Sequence, residues 1–246
     1  SGEQVKALGL VDSTDIVRLA PGVFMSSDTG GQNRKFTVRG VAQNDFLDAV
    51  ESPIAIYVDD GYIAPQQGQV FGLFDLERVE VLKGPQGTLF GRNATGGLVH
   101  YVSRKPVLGE TSGFFDVLYG SNSNIRVEAG ITAPLGEKVA IRVSGLLDKH
   151  DPILKNLFQG ANDLYDKDTQ AGRLHILVEP SDSVRWRVTA SGAKSVQSSG
   201  NYETRGIVPV FDGAGRWIDT QIASSTETRP GIGPGDRKST RLNSSH

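Results

Sequence analysis

Cysteine is missing from all 246 residues, so the chain has no disulfide framework, no zinc–thiolate site and no thiol nucleophile. That absence does not locate the protein, because an oxidising compartment permits disulfides without requiring them. A surplus of one charge sign is missing too: 26 Lys and Arg stand against 28 Asp and Glu, a formal net charge of −2. A protein working mainly on nucleic acid carries a basic excess to compensate phosphate, so that class is excluded. No run approaches the roughly 18 apolar residues of a transmembrane helix. A transmembrane barrel passes this test, since its strands need only about ten residues of alternating polarity, which average hydropathy hides. What is abundant is punctuation: 30 glycines and 11 prolines imply many turns. The length suits one large domain or two small ones.

Both ends read as those of a piece of a longer product. The chain starts at Ser1 without a methionine or a basic-then-apolar leader. It closes on Gly231-Ile-Gly-Pro-Gly-Asp-Arg-Lys-Ser-Thr-Arg-Leu-Asn-Ser-Ser-His246, which has neither strand nor helix periodicity. The last nine residues resemble translated sequencing-adaptor read-through, the alternative being a disordered natural loop. Residues 231–246 are therefore set apart as a tail.

Between the ends the texture changes once, near Pro106. Before it the pattern is mixed. Residues 8–22 predict a short helix, capped by Asp12 or Ser13 and stopped by Pro21-Gly22. Phe36 to Gly40 alternates as a short strand, and Ile54-Ala-Ile-Tyr-Val58 has the β-branched and aromatic content of a pleated surface. Asp59-Asp60-Gly61 then signals a hairpin turn. Leu73 to Arg78 predicts a short helix, Val79 to Leu82 a strand, and Leu98 to Val102 another.

After Pro106 there is no convincing helix, and long segments alternate. Ile125, Val127, Ala129 and Ile131 oppose Arg126, Glu128, Gly130 and Thr132. Val139, Ile141, Val143, Gly145 and Leu147 oppose Lys138, Arg142, Ser144 and Asp148. The same holds for Leu174, Ile176 and Val178, and for Val184, Trp186, Val188 and Ala190, with residues 113–119 a less regular first strand. Period two gives each strand one apolar and one polar side. Short turns near 135 and 181 alternate with long segments at 149–167 and after 194, the rhythm of an outer-membrane barrel. A water-soluble β-sandwich alternates similarly. Five strands, with a sixth near Arg205 to Thr220, cannot close a wide barrel, and open edges cannot sit in lipid.

The mixed region resembles the plug domain of TonB-dependent outer-membrane receptors. The likeness is carried by Phe36-Thr-Val-Arg-Gly40, by Pro53-Ile-Ala-Ile-Tyr-Val-Asp-Asp-Gly61, and most densely by the run from Leu76-Glu-Arg-Val-Glu-Val-Leu-Lys-Gly-Pro85 through Leu89-Phe-Gly91 and Gly96-Gly97 to Pro106. The resemblance implies a mixed α/β plug domain over residues 1–107. Antiparallel β-strands of an incomplete transmembrane β-barrel follow over 108–230. The TonB box, the energy-coupling segment that precedes such plugs, is not recognisable in Ser1 to Gly9, and His100 stands where a polar residue, often asparagine, is common.

Several residues acquire expected roles from this likeness. Gly40, Gly84, Gly91, Gly96 and Gly97 allow the sharp turns and close backbone approaches of a compact plug. Arg39, Glu80 and Arg92 are the expected plug–barrel locking residues, since plug charges in this family meet charges on the inner wall. Such pairs hold position but add modest stability when wet. Plug apices comparable to Ser26–Arg34, Asn44–Ser52 and Ile63–Gln69 face the substrate. Tyr62, Gln66, Gln67 and Gln69 offer an amphipathic ring and uncharged hydrogen-bonding groups there.

Enzyme readings find no support in the residues. The glycines lack a Gly-x-x-x-x-Gly-Lys-Ser/Thr run or a dinucleotide-site context. Asp59 and Asp60, adjacent on a strand end, point apart unless a turn redirects them. His100, His150 and His175 lack metal-ligand spacing, and no serine sits in a nucleophile elbow. No catalytic residue, metal or cofactor is expected. The resemblance implies a 22-stranded receptor of the Gram-negative outer membrane. It would take up a small molecule, most commonly a ferric siderophore, with TonB and its inner-membrane energising complex as partners and no nucleic acid. Cobalamin, haem or oligosaccharide are the alternative substrates, a receptor that only signals is a rival within the family, and a soluble β-rich binding or adhesion module is the rival outside it.

Overall fold

The computed structural model describes residues 1–28, 33–43, 50–155, 162–198, 207–213 and 215–222. It divides into two compact units, Ser1–Asn201 and Tyr202–His246. The tail at 231–246 lies outside the described residues, as do parts of two expected apices, 29–32 and 44–49.

The N-terminal region begins with helix α1 (Gly2–Ala7), capped by the Ser1 side chain. It does not continue into the helix expected over 8–22. Gly9 turns the chain with φ +64°, and a separate 3₁₀ helix forms at Ser13–Leu19. Asp12 caps that helix as expected, accepting from the Thr14 N–H at 2.8 Å, while Asp15 returns a bond to the Asp12 N–H at 3.1 Å. This reciprocal arrangement satisfies first-turn donors.

Strands β1 (Val23–Asp28), β2 (Asn33–Val38) and β3 (Val41–Ala42) form one antiparallel sheet. β4 (Ile54–Val58), β5 (Gly61–Tyr62), β6 (Leu76–Lys83) and β7 (Gly97–Ser103) form a second, in the order β5-β4-β7-β6. β4 and β7 run parallel, and β7 pairs with β6 antiparallel. Central β7 is buried along almost its whole length, which is why it reads as a continuous apolar run rather than an alternating one. A single turn of helix, α2 (Gly87–Phe90), connects β6 to β7. Phe36, Val38, Ile54, Ile56, Val99 and Tyr101 pack between the sheets and the helices as the core. The buried Tyr101 hydroxyl donates to the Ser13 carbonyl at 2.5 Å.

The helix expected at Leu73 to Arg78 is instead extended, with β6 starting at Leu76. Tertiary pairing overrides the local pattern here: the Leu73 N–H donates to the Val11 carbonyl at 2.9 Å, and Leu73, Phe74 and Leu76 are all buried.

Strands β8 (Ser112–Gly120), β9 (Asn124–Pro134), β10 (Val139–His150), β11 (Lys167–Ser181) and β12 (Val184–Gln197) form one antiparallel meander. β9 to β12 run 11, 12, 15 and 14 residues, enough to cross a bilayer at the usual tilt. β8 and β12 are its unpaired edges, so the sheet is not closed. The sixth strand expected near Arg205 to Thr220 is a hairpin of its own, β13 (Ile207–Phe211) with β14 (Trp217–Ile222), in the second unit.

The five-stranded sheet is inverted relative to a water-soluble one. Arg126, Glu128, Thr132, Arg142, Ser144, Asp148, Thr169, Arg173 and His175 are buried on the face that meets the N-terminal region. Phe115, Ile131, Val143, Leu174, Trp186 and Val188 are exposed on the other.

Candidate functional site

Two aspartates with left-handed backbones, Asp59 at φ 52° and Asp75 at φ 49°, organise the contact of the N-terminal region with the buried polar face, Asp75 directly and Asp59 through Ser103. Asp and Asn tolerate this region better than other non-glycine residues. Asp75 ends the extended stretch before β6, and its carboxylate is gripped by the Arg142 guanidinium, with Nη2–Oδ1 at 2.5 Å and Nε–Oδ2 at 2.8 Å. Such two-pronged pairs add directional specificity to charge. Arg142 Nη1 donates onward to Thr132 Oγ1 at 2.7 Å, and the Asp75 N–H donates to Glu128 Oε1 at 2.9 Å.

The two residues before Asp75 meet the neighbouring strands in turn. Arg126 on β9 donates to the Leu73 carbonyl at 2.5 Å and pairs with Asp148 at 2.8 Å. Arg173 on β11 reaches the Phe74 carbonyl at 3.4 Å and lies 4.5 Å from the centre of the Phe74 ring. Helix α1 adds Lys6, whose ammonium sits 2.5 Å from Asp116 Oδ2 and 3.8 Å over the Phe114 ring.

Asp59 anchors a second cluster. Lys105 Nζ lies 2.5 Å from Asp59 Oδ1. The Ser103 N–H donates to the same oxygen at 2.9 Å, and Ser103 Oγ lies 2.8 Å from both Asp59 Oδ2 and His175 Nε2. Burial raises the Asp59 carboxyl, but bonds from Lys105 and Ser103 outweigh it and hold the group below the ordinary aspartate range. Asp, Ser and His meet here, yet the order is wrong for acyl transfer. The carboxylate touches the serine rather than orienting the histidine, and Ser103 is fully buried. Among the described residues, no three His, Asp or Glu side chains gather as a metal site.

The expected locking residues lie elsewhere. Arg39 is exposed at φ 51°, its N–H donating to the Gly22 carbonyl at 2.9 Å. Glu80 pairs within its own sheet, with Arg78 at 2.7 Å and His100 Nδ1 at 3.2 Å. The Arg78 bond leads in lowering its carboxyl pKa. Arg92, well exposed, pairs with Glu51 at 3.3 Å. Among the described residues, the ion pairs to the five-stranded sheet run through Lys6, Asp75 and their neighbours instead. Arg126, Glu128 and Arg142 are legible in the sequence as a polar face, but their partners are not, because Asp75 and Arg142 stand 67 positions apart.

Tyr62 is half-buried on β5, its hydroxyl accepting from Asn93 Nδ2 at 2.9 Å and its ring 5.5 Å from that of Tyr57. Burial raises its phenol pKa. Gln66 and Gln69 are buried in a 3₁₀ turn, so contact with a ligand from either requires that turn to open. Gln69 Nε2 donates to the Ile63 carbonyl at 3.1 Å. The Gln67 side chain lies outside the described residues. Gly40, Gly84, Gly91 and Gly97 all adopt positive φ, and a Cβ on Gly96 would lie 2.6 Å from Val41.

Comparison with known proteins completes the picture. Residues 1–98 match the family model "TonB-dependent Receptor Plug Domain". The chain is similar to the pesticin receptor of Yersinia pestis, 25% identical over 184 residues, covering 74% of this chain and 27% of that protein. It is similar to the ferripyoverdine receptor of Pseudomonas aeruginosa, 33% identical over 147 residues, covering 58% of this chain and 17% of that one. The crystal structure of the ferric yersiniabactin uptake receptor from Yersinia pestis shares the fold, with a TM-score of 0.69 and 24% identity over 79% of this chain and 30% of that structure. The chain thus spans about a quarter of the length of its relatives.

Proposed function

We propose that this chain, whose residues 1–98 are a TonB-dependent receptor plug domain, is the plug and first barrel strands of a receptor that takes up ferric siderophores. Receptors with this plug are transport proteins rather than enzymes, and the chain belongs to the outer membrane of a Gram-negative cell. The supporting observation is the inverted sheet: charged residues buried against the plug, apolar residues exposed outward. Lipid accepts the second face, and a lumen filled by the plug accepts the first. In a soluble sandwich the apolar faces would meet in the core and the charges would face water.

Within this reading the plug runs to about residue 107, barrel strands occupy 108–230, and 231–246 is a tail. Substrate docks from outside near Tyr62 and the turn that holds Gln66, Gln67 and Gln69. TonB, energised from the inner membrane, pulls on the chain N-terminal to α1. That force reaches the Lys6–Asp116 contact first and the Asp75–Arg142 clasp next. Arg39, Glu80 and Arg92 serve wall strands beyond the five in this chain. The siderophore assignment rests on relatives named for ferripyoverdine and ferric yersiniabactin.

The test is deletion of the receptor gene followed by uptake of radiolabelled ferric siderophores under iron limitation. Energy-dependent uptake should disappear and return with the gene supplied in trans. Unchanged uptake of every ferric siderophore offered would reject this substrate class and turn the assay to cobalamin, haem and oligosaccharide.

A further inference from the structure

The inner faces of β10 and β11 hold more hydrogen-bonding capacity than the plug uses. Arg173 and Ser144 stand directly opposite each other across the β10–β11 pair. Both are buried, and among the described residues neither Arg173 Nε nor Ser144 Oγ has a partner. Among the described residues the one hydrogen bond of Arg173 is long, 3.4 Å, to the Phe74 carbonyl. A buried guanidinium this poorly satisfied is costly unless something else completes it. Arg142, two residues from Ser144 on the same face of β10, is by contrast fully engaged, and its anion comes from the plug through Asp75. Across from Ser144 on β9 is Gly130, where a Cβ would lie 3.1 Å from Arg142 Nη2. The missing side chain leaves the guanidinium room.

Arg126, Arg142 and Arg173, the buried arginines among the described residues, differ in what remains to them without the plug. Arg126 keeps Asp148 at 2.8 Å and Glu128 at 3.6 Å, both on the wall itself. Arg142 would lose Asp75, and Arg173 would lose its place over Phe74. Movement of Leu73–Asp75 therefore uncovers two unpaired guanidiniums and a free hydroxyl at one level of the lumen. Asp75 occupies that position with a planar two-oxygen anion, held at a left-handed φ of 49°.

We propose that Arg142, Arg173 and Ser144 form a transit site on the inner wall for the carboxylate or similar two-oxygen anion of a passing substrate, with the Asp75 side chain standing in for that anion while the plug is closed. The proposal rests on the transport reading above and narrows its substrate to an anionic chelate. Arginine suits the task, because its fork matches two oxygens and its charge is never lost.

The full-length receptor in planar lipid bilayers tests this without TonB or substrate. Urea on the periplasmic side displaces the plug, and the reversal potential in a potassium chloride gradient, then in potassium acetate, reads anion against cation permeability. Open wild-type channels should favour both anions. Arg142→Gln/Arg173→Gln should lower that preference several-fold, and Arg142→Lys/Arg173→Lys should keep most of it. Arg126→Gln/Asp148→Asn, which removes a wall cation together with the wall anion that neutralises it, should change it little. Asp75→Asn should open at lower urea with the wild-type preference. Equal ratios in wild type and the double glutamine variant would overturn the site. So would channels that never open in urea, since Leu73–Asp75 would then not be a releasable cover. The uptake assay can fail while this measurement succeeds, and the converse, so the two readings are separable.

Discussion

Asp59 and Asp75 share a backbone conformation that most residues avoid, and each spends it on aiming a carboxylate. A left-handed non-glycine residue persists where its surroundings over-determine it. At Asp59 the over-determination is visible in Lys105, in the Ser103 N–H and in the Ser103 hydroxyl. Its folded-state pKa is depressed. The stabilisation it confers is therefore complete above the unfolded aspartate value of about 4 and is lost as pH falls through the lower folded value. Asp59→Asn tolerates the same backbone and keeps an acceptor, so it isolates the charge. We expect it to destabilise the plug around β7 by about 1.5–3 kcal/mol at neutral pH, the range for hydrogen bonds to a charged group. The gap to wild type should narrow as pH is taken below about 4. Urea midpoints for loss of amide-exchange protection at Ser103 and Arg104, measured across pH in the full-length receptor, check this. A gap independent of pH would mean that the charge contributes nothing. Neither aspartate was legible as a clasp in the sequence, where Asp59 reads only as half of a hairpin turn and Asp75 as part of a short helix. Their partners lie 44 to 67 positions away, and nothing in local pattern points across such a gap.

Among the elements, legibility followed periodicity. β8 to β12 were readable because every second residue changes environment, and the registers carry that alternation across the sheet: Val143 opposite Leu174, Arg142 opposite His175. β4 and β7 were readable as apolar runs bounded by turn residues. The two helical expectations failed where local pattern competed with tertiary pairing. Leu73 to Arg78 can form a short helix by itself, but the Leu73 N–H finds the Val11 carbonyl. The segment at 8–22 has a sound cap in Asp12, but Gly9 breaks it from α1. Several glycines shape the join of β6 to β7, and Gly97 meets backbone most closely. Gly97 begins β7 at φ +146°, and a Cβ there would lie 2.5 Å from the Leu82 carbonyl oxygen, a backbone atom that cannot swing aside. Gly97→Ala should destabilise the plug by roughly 1–3 kcal/mol from overpacking alone, with backbone strain added. Gly87→Ala, at a helical position with no atom within 4 Å of the added carbon, should stay within about 0.5 kcal/mol of wild type. Hydrogen exchange along β7 separates the two. Equal protection in both variants would show that the close approach at Gly97 relaxes freely.

At the scale of the whole molecule the decisive feature is which side of the long sheet is wet. Its buried side carries Arg126, Glu128, Arg142, Asp148 and Arg173, whereas Phe115, Tyr119, Trp186 and Val188 stand 70%, 76%, 62% and 56% exposed on the outward side and on edge strand β12. A contiguous apolar face of this kind is an association surface in water, and the unpaired edges at β8 and β12 offer further templates for pairing. The chain expressed by itself should therefore aggregate in buffer and disperse in detergent micelles, as read by light scattering and size-exclusion chromatography. The chain has two tryptophans, so Trp217→Phe leaves Trp186 as the single reporter on the outward face. In micelles of a brominated detergent its fluorescence should be strongly quenched, because bromine on the alkyl chain quenches indole at contact. A monodisperse chain in plain buffer with unquenched Trp186 would place that residue in a protein core. The sheet would then be one leaf of a soluble sandwich, and the membrane reading would fall at its physical root rather than at the choice of substrate.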